Sequence, residues 1–484
     1  MTKFKILAIG ALSIAIFLVV YSPHYDYPFP SHIDEWHHIS EAGKLETGEF
    51  HRGVSAYRIG FQLLIYALSK ISNVVLVYQF LPGIWAIVSG LTLFYITYKR
   101  QGNAFAPALF AMFFFASIKS NVNLTGLWFF TPLTFSIPFI FLYMHLFTEG
   151  IYRKRKSLII ASLLIMTLLI FVHAISVLFA LPILILCGIL NYRFVIKEWR
   201  LFLTFLLLPA VGLVFFKMMS CASWEVLFTT LFDSLKFKFG WGVLELKNSF
   251  YEIYSFMGYA LAALGIAAIA MDRERLKKDS VFIVWPAWLL IMIFYYRKSG
   301  LSFLSPYQRN MYYFAVCMPY LSSAGLTWVF LKLKGYGKIL ADAAPRYGKR
   351  LEYCIYGLIF SMVVFFTFKS YWYIPKNIDL YRGIDKNDYK AMLFLASLPE
   401  KTTVMAMPGV SIAIYPISGH RPVATFFFYG NRKDAELFFR SRNCSVKRTL
   451  AERYNARYVL SKYPIDCGWQ LIYDQGNYIY EITE

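Results

Sequence analysis

Apolar residues run along this chain in stretches close to the roughly 20 positions needed to cross a hydrocarbon core of about 30 Å, broken by short polar connections. The pattern predicts spans near 6–22, 74–97, 104–118, 127–147, 201–217, 251–271, 280–296, 311–331 and 352–372. The stretch from Ser157 to Leu190 is too long for one crossing and is broken at His173, so it divides into two spans joined there by a tight turn, which makes about eleven. Ile59 to Ile71 is apolar but short, as an interfacial helix would be. Two connections are long, 22–58 and 218–250. From about Pro375 the apolar runs shorten and turn signals appear at Tyr429-Gly430-Asn431 and Gln475-Gly476-Asn477. Helical spacing covers Asp388 to Leu398 and Lys433 to Phe439. TVMAMPG, ARYVLSK, QLIYD and YIYEI read as strands, so a small α/β module is expected. The expected fold is a polytopic α-helical membrane domain over 1–374, followed by a soluble α/β domain over 375–484.

Composition agrees with that class: 58% of the 484 residues are hydrophobic and 16% charged, against roughly 25% charged in soluble domains. The net charge of +21 would suggest nucleic acid in a soluble protein. Here the cations concentrate in alternate connections: Lys99 and Arg100, Arg153 to Lys156, Arg193 to Arg200, Arg273 to Lys278, and Lys332 to Arg350. That bias orients spans and makes nucleic acid an unsuitable partner. It places the N-terminus in the cytoplasm, and an odd number of crossings then places the C-terminal domain outside. No small-residue cleavage site follows the first apolar run, which therefore reads as an uncleaved span. The six cysteines lack zinc-site spacing. Cys444 and Cys467 share the C-terminal domain, as a disulfide or as two thiols. Two N-x-S/T triplets, at Asn123 and Asn443, fall on the outer side in this threading.

The densest titratable cluster near the membrane lies in the first outer loop: His32, Asp34, Glu35, His37, His38 and Glu41. Asp34 can open and cap a short helix, with Glu35, His38 and Glu41 on the turns that follow. A solvated, capped loop helix would explain the set. So would a carboxylate placed at the membrane surface as a base for a lipid-borne substrate.

The pattern HIDEWHHISEAGKLETGEF after a first span, followed by an amphipathic segment, many spans and an outward soluble domain, resembles the GT-C glycosyltransferases. These include protein O-mannosyltransferases, aminoarabinose lipid transferases and the catalytic subunits of oligosaccharyltransferases. The resemblance implies a catalytic acid in the first outer loop, at Asp34 with Glu35 beside it, and substrate contacts from His37 and His38. It also implies a cation on the departing phosphate. Arg309 in SPYQRNMYYFA fits, since its planar fork suits phosphate; the alternative is an interfacial anchor with Tyr307, Tyr312 and Tyr313. Lys236 and Lys238, beside Trp241, are further cations that could equally meet lipid headgroups. His173 sits where some relatives carry a histidine facing the active cavity, or is a polar turn residue. The loop KSNVNLT carries no carboxylate and the tail no WWD-like motif. Both depart from metal-dependent oligosaccharyltransferases, so no metal site or cofactor is assigned and a divalent metal is disfavoured.

The resulting expectation is a metal-independent, inverting transferase of the plasma membrane. It would move a sugar from a polyprenyl-phosphate donor to a lipid, glycan or protein acceptor on the outer face, among membrane lipids. A transporter or flippase of lipid-linked sugars is one rival; paired charges or broken helices at mid-membrane depth would mark it, and the spans offer almost none. A non-catalytic scaffold with a partner-binding outer domain is the other.

Overall fold

A computed structural model of the chain describes residues 3–47, 59–120, 126–220, 223, 225, 236–238, 249–303, 305–343, 348–369, 382–426 and 430–482. The chain divides into two compact units. The first comprises Met1–Ser22, Arg52–Phe61 and Leu81–Pro375. The second comprises Pro23–His51, Gln62–Phe80 and Lys376–Glu484. The helices up to residue 369 are α1 (Lys3–Tyr21), α2 (Ile33–Thr47), α3 (Ile59–Ile71), α4 (Val74–Val77), α5 (Leu81–Arg100), α6 (Phe105–Ala116), α7 (Pro132–Tyr152), α8 (Lys156–Leu190), α9 (Tyr192–Lys197), α10 (Trp199–Ser220), α11 (Phe256–Ala270), α12 (Arg273–Ser299), α13 (Tyr307–Ala343) and α14 (Gly348–Phe368). Every expected span coincides with one of these helices or with half of α8. Among the described residues, six helices are long and apolar enough to cross a membrane by length and composition. Phe105–Ala116, Phe256–Ala270 and Tyr353–Phe368 are shorter apolar helices.

The first unit is a helical bundle whose threading turns on α8. A straight helix of 35 residues would separate its ends by about 52 Å at 1.5 Å per residue. Yet Lys156 Nζ at its start lies 2.7 Å from the Glu198 carboxylate just beyond its end. The chain must therefore reverse, and it does so at His173, whose extended backbone (φ −158°, ψ 80°) interrupts the helix. The two halves are two crossings, as the break at His173 in the apolar run suggests.

After the short α6 the backbone is irregular where it resumes at Gly126. Leu127, Trp128, Phe129 and Phe130 are all buried. Non-helical backbone at such a position survives only with its polar groups paired inside protein. Ser120 Oγ receives the Trp128 amide at 3.2 Å. Thr134 Oγ1 donates to the Phe129 carbonyl at 2.7 Å and receives the Thr131 amide at 2.9 Å, which closes the N-terminus of α7. The tightest helix pair is α11 with α13. A Cβ at Gly265 would overlap the Leu321 carbonyl, and one at Gly325 the Leu261 carbonyl, so the two backbones touch. Small residues permit this approach where lipid supplies no hydrophobic drive between helices. Ser322 Oγ reinforces it by bonding the Gly258 carbonyl at 2.8 Å.

In the second unit the C-terminal residues form helices α15 (Lys386–Ser397), α16 (Pro408–Ser411), α17 (Ile414–Ser418), α18 (Arg432–Arg440) and α19 (Cys444–Arg453). Within the first unit, strands β1 (Lys236–Lys238) and β2 (Leu301–Phe303) make a small antiparallel pair. The C-terminal sheet contains β3 (Thr403–Ala406), β4 (Arg421–Pro422), β5 (Ala456–Ser461), β6 (Gln470–Asp474) and β7 (Tyr478–Glu481), in the order β4-β3-β5-β7-β6. β4, β3 and β5 run parallel, while β7 lies antiparallel to both β5 and β6. The expected strands and helices are present; α16, α17, α19 and β4 are additional. Its core gathers Met405, Val459, Phe438 and Trp469, with the last two rings stacked at 5.9 Å. Asp385 caps α15 with a capping box through Asp388. Lys462 Nζ ties both carboxylates, at 2.8 and 2.9 Å.

Cys444 and Cys467 are joined by a disulfide, with Cα atoms 5.4 Å apart. Of the two sequence alternatives, the bridge is the one formed. Asn443, of the second N-x-S/T triplet, caps α19 by accepting the Ser445 amide at 2.8 Å; Asn123 lies outside the described residues.

Two stability predictions follow from these contacts. Gly325→Leu should cost at least about 3 kcal/mol through overpacking, seen as early thermal loss of monodisperse detergent-solubilised protein. Gly188→Leu, where a Cβ meets nothing within 4 Å, should behave as the parent; equal loss in both would contradict the close helix approach. Breaking the bridge with Cys444→Ser should remove about 3 kcal/mol, as expected for a loop of this length. It should also make Cys467 accessible to maleimide without prior reduction.

Candidate functional site

The candidates from the first outer loop all sit on α2. The helix starts at Ile33, one residue before the expected opening at Asp34, and its first amides are received by other side chains. The His32 ring Nδ1 accepts the Asp34 amide at 3.1 Å. Glu35 Oε2 accepts the Ser31 and His32 amides at 2.9 and 3.1 Å. That is the reciprocal carboxylate half of a capping box. A ring nitrogen that accepts an N–H carries no proton. The 3.7 Å approach of His32 Nδ1 to Asp34 Oδ2 is therefore no ion pair in this tautomer.

Burial then sorts the cluster. Glu35, Trp36, His38, Ile39, Glu41 and Ala42 are buried, which is one continuous face. Asp34 and His37, three residues apart, occupy the partly exposed face, and the Asp34 side chain is 29% exposed. Thus Glu35, completely buried, accepts two amides at the helix start. Asp34 presents its carboxylate beside His37. His38 is buried next to His37, with ring centroids 5.6 Å apart.

The C-terminal residues of the same unit hold this loop at both ends. Arg382 grips Asp26 with two hydrogen bonds, 2.8 and 3.1 Å, and the Pro23 carbonyl at 2.8 Å. Its guanidinium lies 4.9 Å from the Tyr27 ring centroid. These bonds hold the Asp26 carboxyl below the usual range. Phe29 packs on Tyr389 at 5.0 Å. Toward the end of α2 a Cβ at Gly43 would come within 3.2 Å of the Tyr415 ring of α17. Lys44, paired with Glu41 at 2.9 Å, lies over the same ring at 5.9 Å. No motif in the sequence announced Arg382 or Tyr415 as supports of this helix.

The remaining candidates belong to the first unit, at one end of its bundle. Arg309 lies in the first turn of α13, its amide bonded to the Pro306 carbonyl at 2.9 Å. The preceding loop is held by Asn310: Asn310 Nδ2 donates to Ser302 Oγ at 3.3 Å, Ser305 Oγ bonds Asn310 Oδ1, and Ser302 Oγ donates to the Ser305 carbonyl at 2.6 Å. Lys236 and Lys238 are brought to the same loop through backbone pairing with Phe303 and Leu301. Trp241 lies outside the described residues. His173 Nδ1 bonds Ser176 Oγ at 2.6 Å, and Ser176 Oγ bonds the Tyr313 hydroxyl at 2.7 Å. Tyr313 is one turn beyond Arg309, so the reversal in α8 is tied to the start of α13.

Two further cations at this end escaped the sequence reading. Arg297, in the last turn of α12, donates Nε to Tyr307 OH at 3.0 Å and lies 4.8 Å over the Phe250 ring. Lys119 donates its amide to the Ile253 carbonyl at 2.8 Å and its Nζ to the Tyr251 carbonyl at 2.7 Å. Burial pulls its ammonium down to about 8. Neither lies in a motif; only folding reveals their partners. Among the described residues no three His, Cys, Asp or Glu side chains are grouped to hold a metal ion.

No protein-family model and no curated protein matches this sequence. Solved structures do match its fold. The Archaeoglobus fulgidus oligosaccharyltransferase, tethered to an acceptor peptide containing the NVT sequon, superposes with a TM-score of 0.59 at 14% identity, covering 96% of this chain and 69% of that one. The archaeal oligosaccharyltransferase AglB from Archaeoglobus fulgidus, in complex with an inhibitory peptide and a dolichol-phosphate, gives 0.55 at 14% identity over 95% and 69%. ArnT from Cupriavidus metallidurans in the apo state gives 0.56 at 10% identity over 99% and 98%. Both proteins are GT-C superfamily members, and this chain has their fold. The archaeal enzyme has also been solved in complex with Zn and sulfate.

The supports of α2 are testable. Arg382→Gln combined with Tyr415→Ala should raise amide hydrogen exchange across residues 24–44 by about tenfold, the equivalent of roughly 1.4 kcal/mol of local stability. Exchange in α11 and α13 should be unchanged. Unaltered protection of α2 would show that the C-terminal residues do not hold it.

Proposed function

We propose, for a chain with the GT-C fold, that it is a glycosyltransferase moving a sugar from a polyprenyl-phosphate donor to an acceptor at the extracytoplasmic face. The observation that carries the reading is the division of labour on α2. Glu35 and His32 satisfy the helix start, which leaves Asp34 on the partly exposed face with His37 beside it. The disulfide supports an oxidising compartment for the C-terminal domain, in keeping with the orientation expected from the basic connections.

In this reading the acceptor hydroxyl or amide attacks the anomeric carbon as Asp34 takes its proton. The bond from that carbon to the phosphate oxygen breaks, and the electron pair leaves with the polyprenyl phosphate. One displacement inverts the anomeric centre. Arg309 receives the phosphate charge through its planar fork, at a helix N-terminus whose amides favour anions. Lys236 and Lys238 add positive charge on the neighbouring strand. His173 positions the Ser176–Tyr313 pair behind Arg309. His37 and His38 are assigned to the substrate side of α2. The chemistry as written needs no metal, in keeping with a KSNVNLT loop that lacks carboxylates.

The test is transfer from radiolabelled polyprenyl-phosphate sugars by the purified full chain. Asp34→Asn should lower turnover by roughly 10²- to 10⁴-fold with thermal stability retained, whereas Glu35→Gln should show itself chiefly as lost stability. Arg309→Lys should weaken donor use more than acceptor use, because an ammonium lacks the bidentate geometry. Turnover should survive a strong chelator. Unchanged transfer in Asp34→Asn would remove the proposed base, and chelator-sensitive transfer would overturn metal independence.

A further inference from the structure

The bundle holds a second built site at the end opposite Arg309. Lys334 lies about 37 Å further along α13 than Arg309, at 1.5 Å of rise per residue. It lines a cavity of about 860 Å³ there, within the roughly 300–1,000 Å³ typical of ligand sites. The rest of the lining comes from the end of α5 and the turn after it, the start of α6, the end of α7, the start of α12, α14 and other residues of α13.

Its wall is apolar. Phe110 packs on Phe330 at 5.6 Å, and Phe330 meets Tyr356 edge-on at 5.3 Å. Its mouth is cationic, with Arg275, Lys278 and Lys334 against Glu274 among the lining residues, and Glu274 is already paired with Lys277 at 2.8 Å.

The floor is rigid. The buried Arg100 is bonded to His145 at 3.1 Å, Asp279 at 3.2 Å, the Lys278 carbonyl at 2.7 Å, and Thr148, and it stacks on Phe282 at 5.0 Å. Lys278 Nζ returns to the Arg100 carbonyl at 2.9 Å. Around this saturated pair stand Arg275, whose Nε faces the Asp279 carboxylate at 3.5 Å but whose buried Nη2 has no hydrogen-bond acceptor among the described residues, and Gln101, whose buried Nε2 has none either. Both belong to residues that line the cavity. Buried donors left unmade are costly. Two of them beside one apolar cavity call for an acceptor that arrives with an apolar body attached.

We propose that this cavity binds one anionic glycerophospholipid. Its phosphate oxygens accept from Arg275, Gln101, Lys278 and Lys334, and an acyl chain lies along Phe110, Phe330 and Tyr356. A free anion would meet the donors but leave the aromatic wall uncovered. A zwitterionic lipid would bring its own cation to a mouth that is already positive. Position at the ends of the spans, on the side that the basic connections assign to the cytoplasm, fits headgroup depth. The site lies at the other end of the bundle from Arg309, so it does not rest on the proposed transferase reaction.

Delipidated full-length protein in detergent is heated with phosphatidylglycerol, with phosphatidylcholine and with inorganic phosphate in separate arms. The expected result is a raised melting midpoint with phosphatidylglycerol alone, with half-saturation weakened at least tenfold by Lys334→Gln and by Ala106→Trp. Lys334 and Ala106 are exposed, so these changes spare the core; the first removes charge and the second fills the mouth of the cavity. A photoreactive phosphatidylglycerol should label peptides of α6 and the end of α13, with no variant required. Equal shifts from phosphatidylcholine, a full shift from phosphate alone, undiminished response in both variants, or labelling spread evenly over the spans would each overturn the proposal.

Discussion

The reversal of the chain at His173 governs the rest of the membrane domain. A single extended residue inside a long apolar run folds α8 back on itself, and the Lys156–Glu198 ion pair closes the pair of crossings. Without that reversal every later span would change direction. Arg309 would then lie at the end of the bundle that carries Arg100. With it, the His173–Ser176–Tyr313 chain of hydrogen bonds ties the turn to the helix that carries Arg309. The residue that sets the topology is therefore also the residue that braces the proposed phosphate site. His173 combines the two roles because a polar side chain at the tip of a hairpin has a partner ready on the neighbouring helix.

The two ends of the bundle meet a common physical demand in different ways. At the Arg309 end irregular backbone is buried, and its polar groups are satisfied by Ser120, Thr134, Ser302 and Asn310. At the Arg100 end a charged pair is buried, and Arg100 is surrounded by acceptors, which is what makes a buried ion pair tolerable. Where satisfaction is incomplete, at Arg275 and Gln101, an apolar cavity lies alongside. In the second unit the same demand distinguishes two adjacent acids: Glu35 is buried and accepts the Ser31 and His32 amides, while Asp34 is partly exposed.

Much was legible from the sequence. The spans, the break at His173, the interfacial length of Ile59 to Ile71 and the strands of the C-terminal module follow from apolar periodicity and turn residues, because burial in lipid or against a sheet imposes a period that local sequence must obey. The choice of the first outer loop as the place for a catalytic acid followed from composition and from the resemblance to GT-C enzymes, whose fold this chain has. Asp34 and Glu35, however, are adjacent in sequence. The sequence offered Asp34 as the cap, whereas the helix start is held by His32 and Glu35.

Sequence alone thus determined a membrane-embedded helical chain of about eleven crossings with an α/β module after it, since hydrophobic length and period are properties of contiguous residues. Only tertiary structure decided that Glu35 accepts the Ser31 and His32 amides, that Arg382 and Tyr415 contact the ends of the loop and of α2, that Cys444 bonds Cys467, and that Arg297 and Lys119 join Arg309 at one end of the bundle. Each of these depends on partners tens to hundreds of residues away. A hydrogen bond, a ring contact or a disulfide is set by distance in space, and no local pattern encodes that distance.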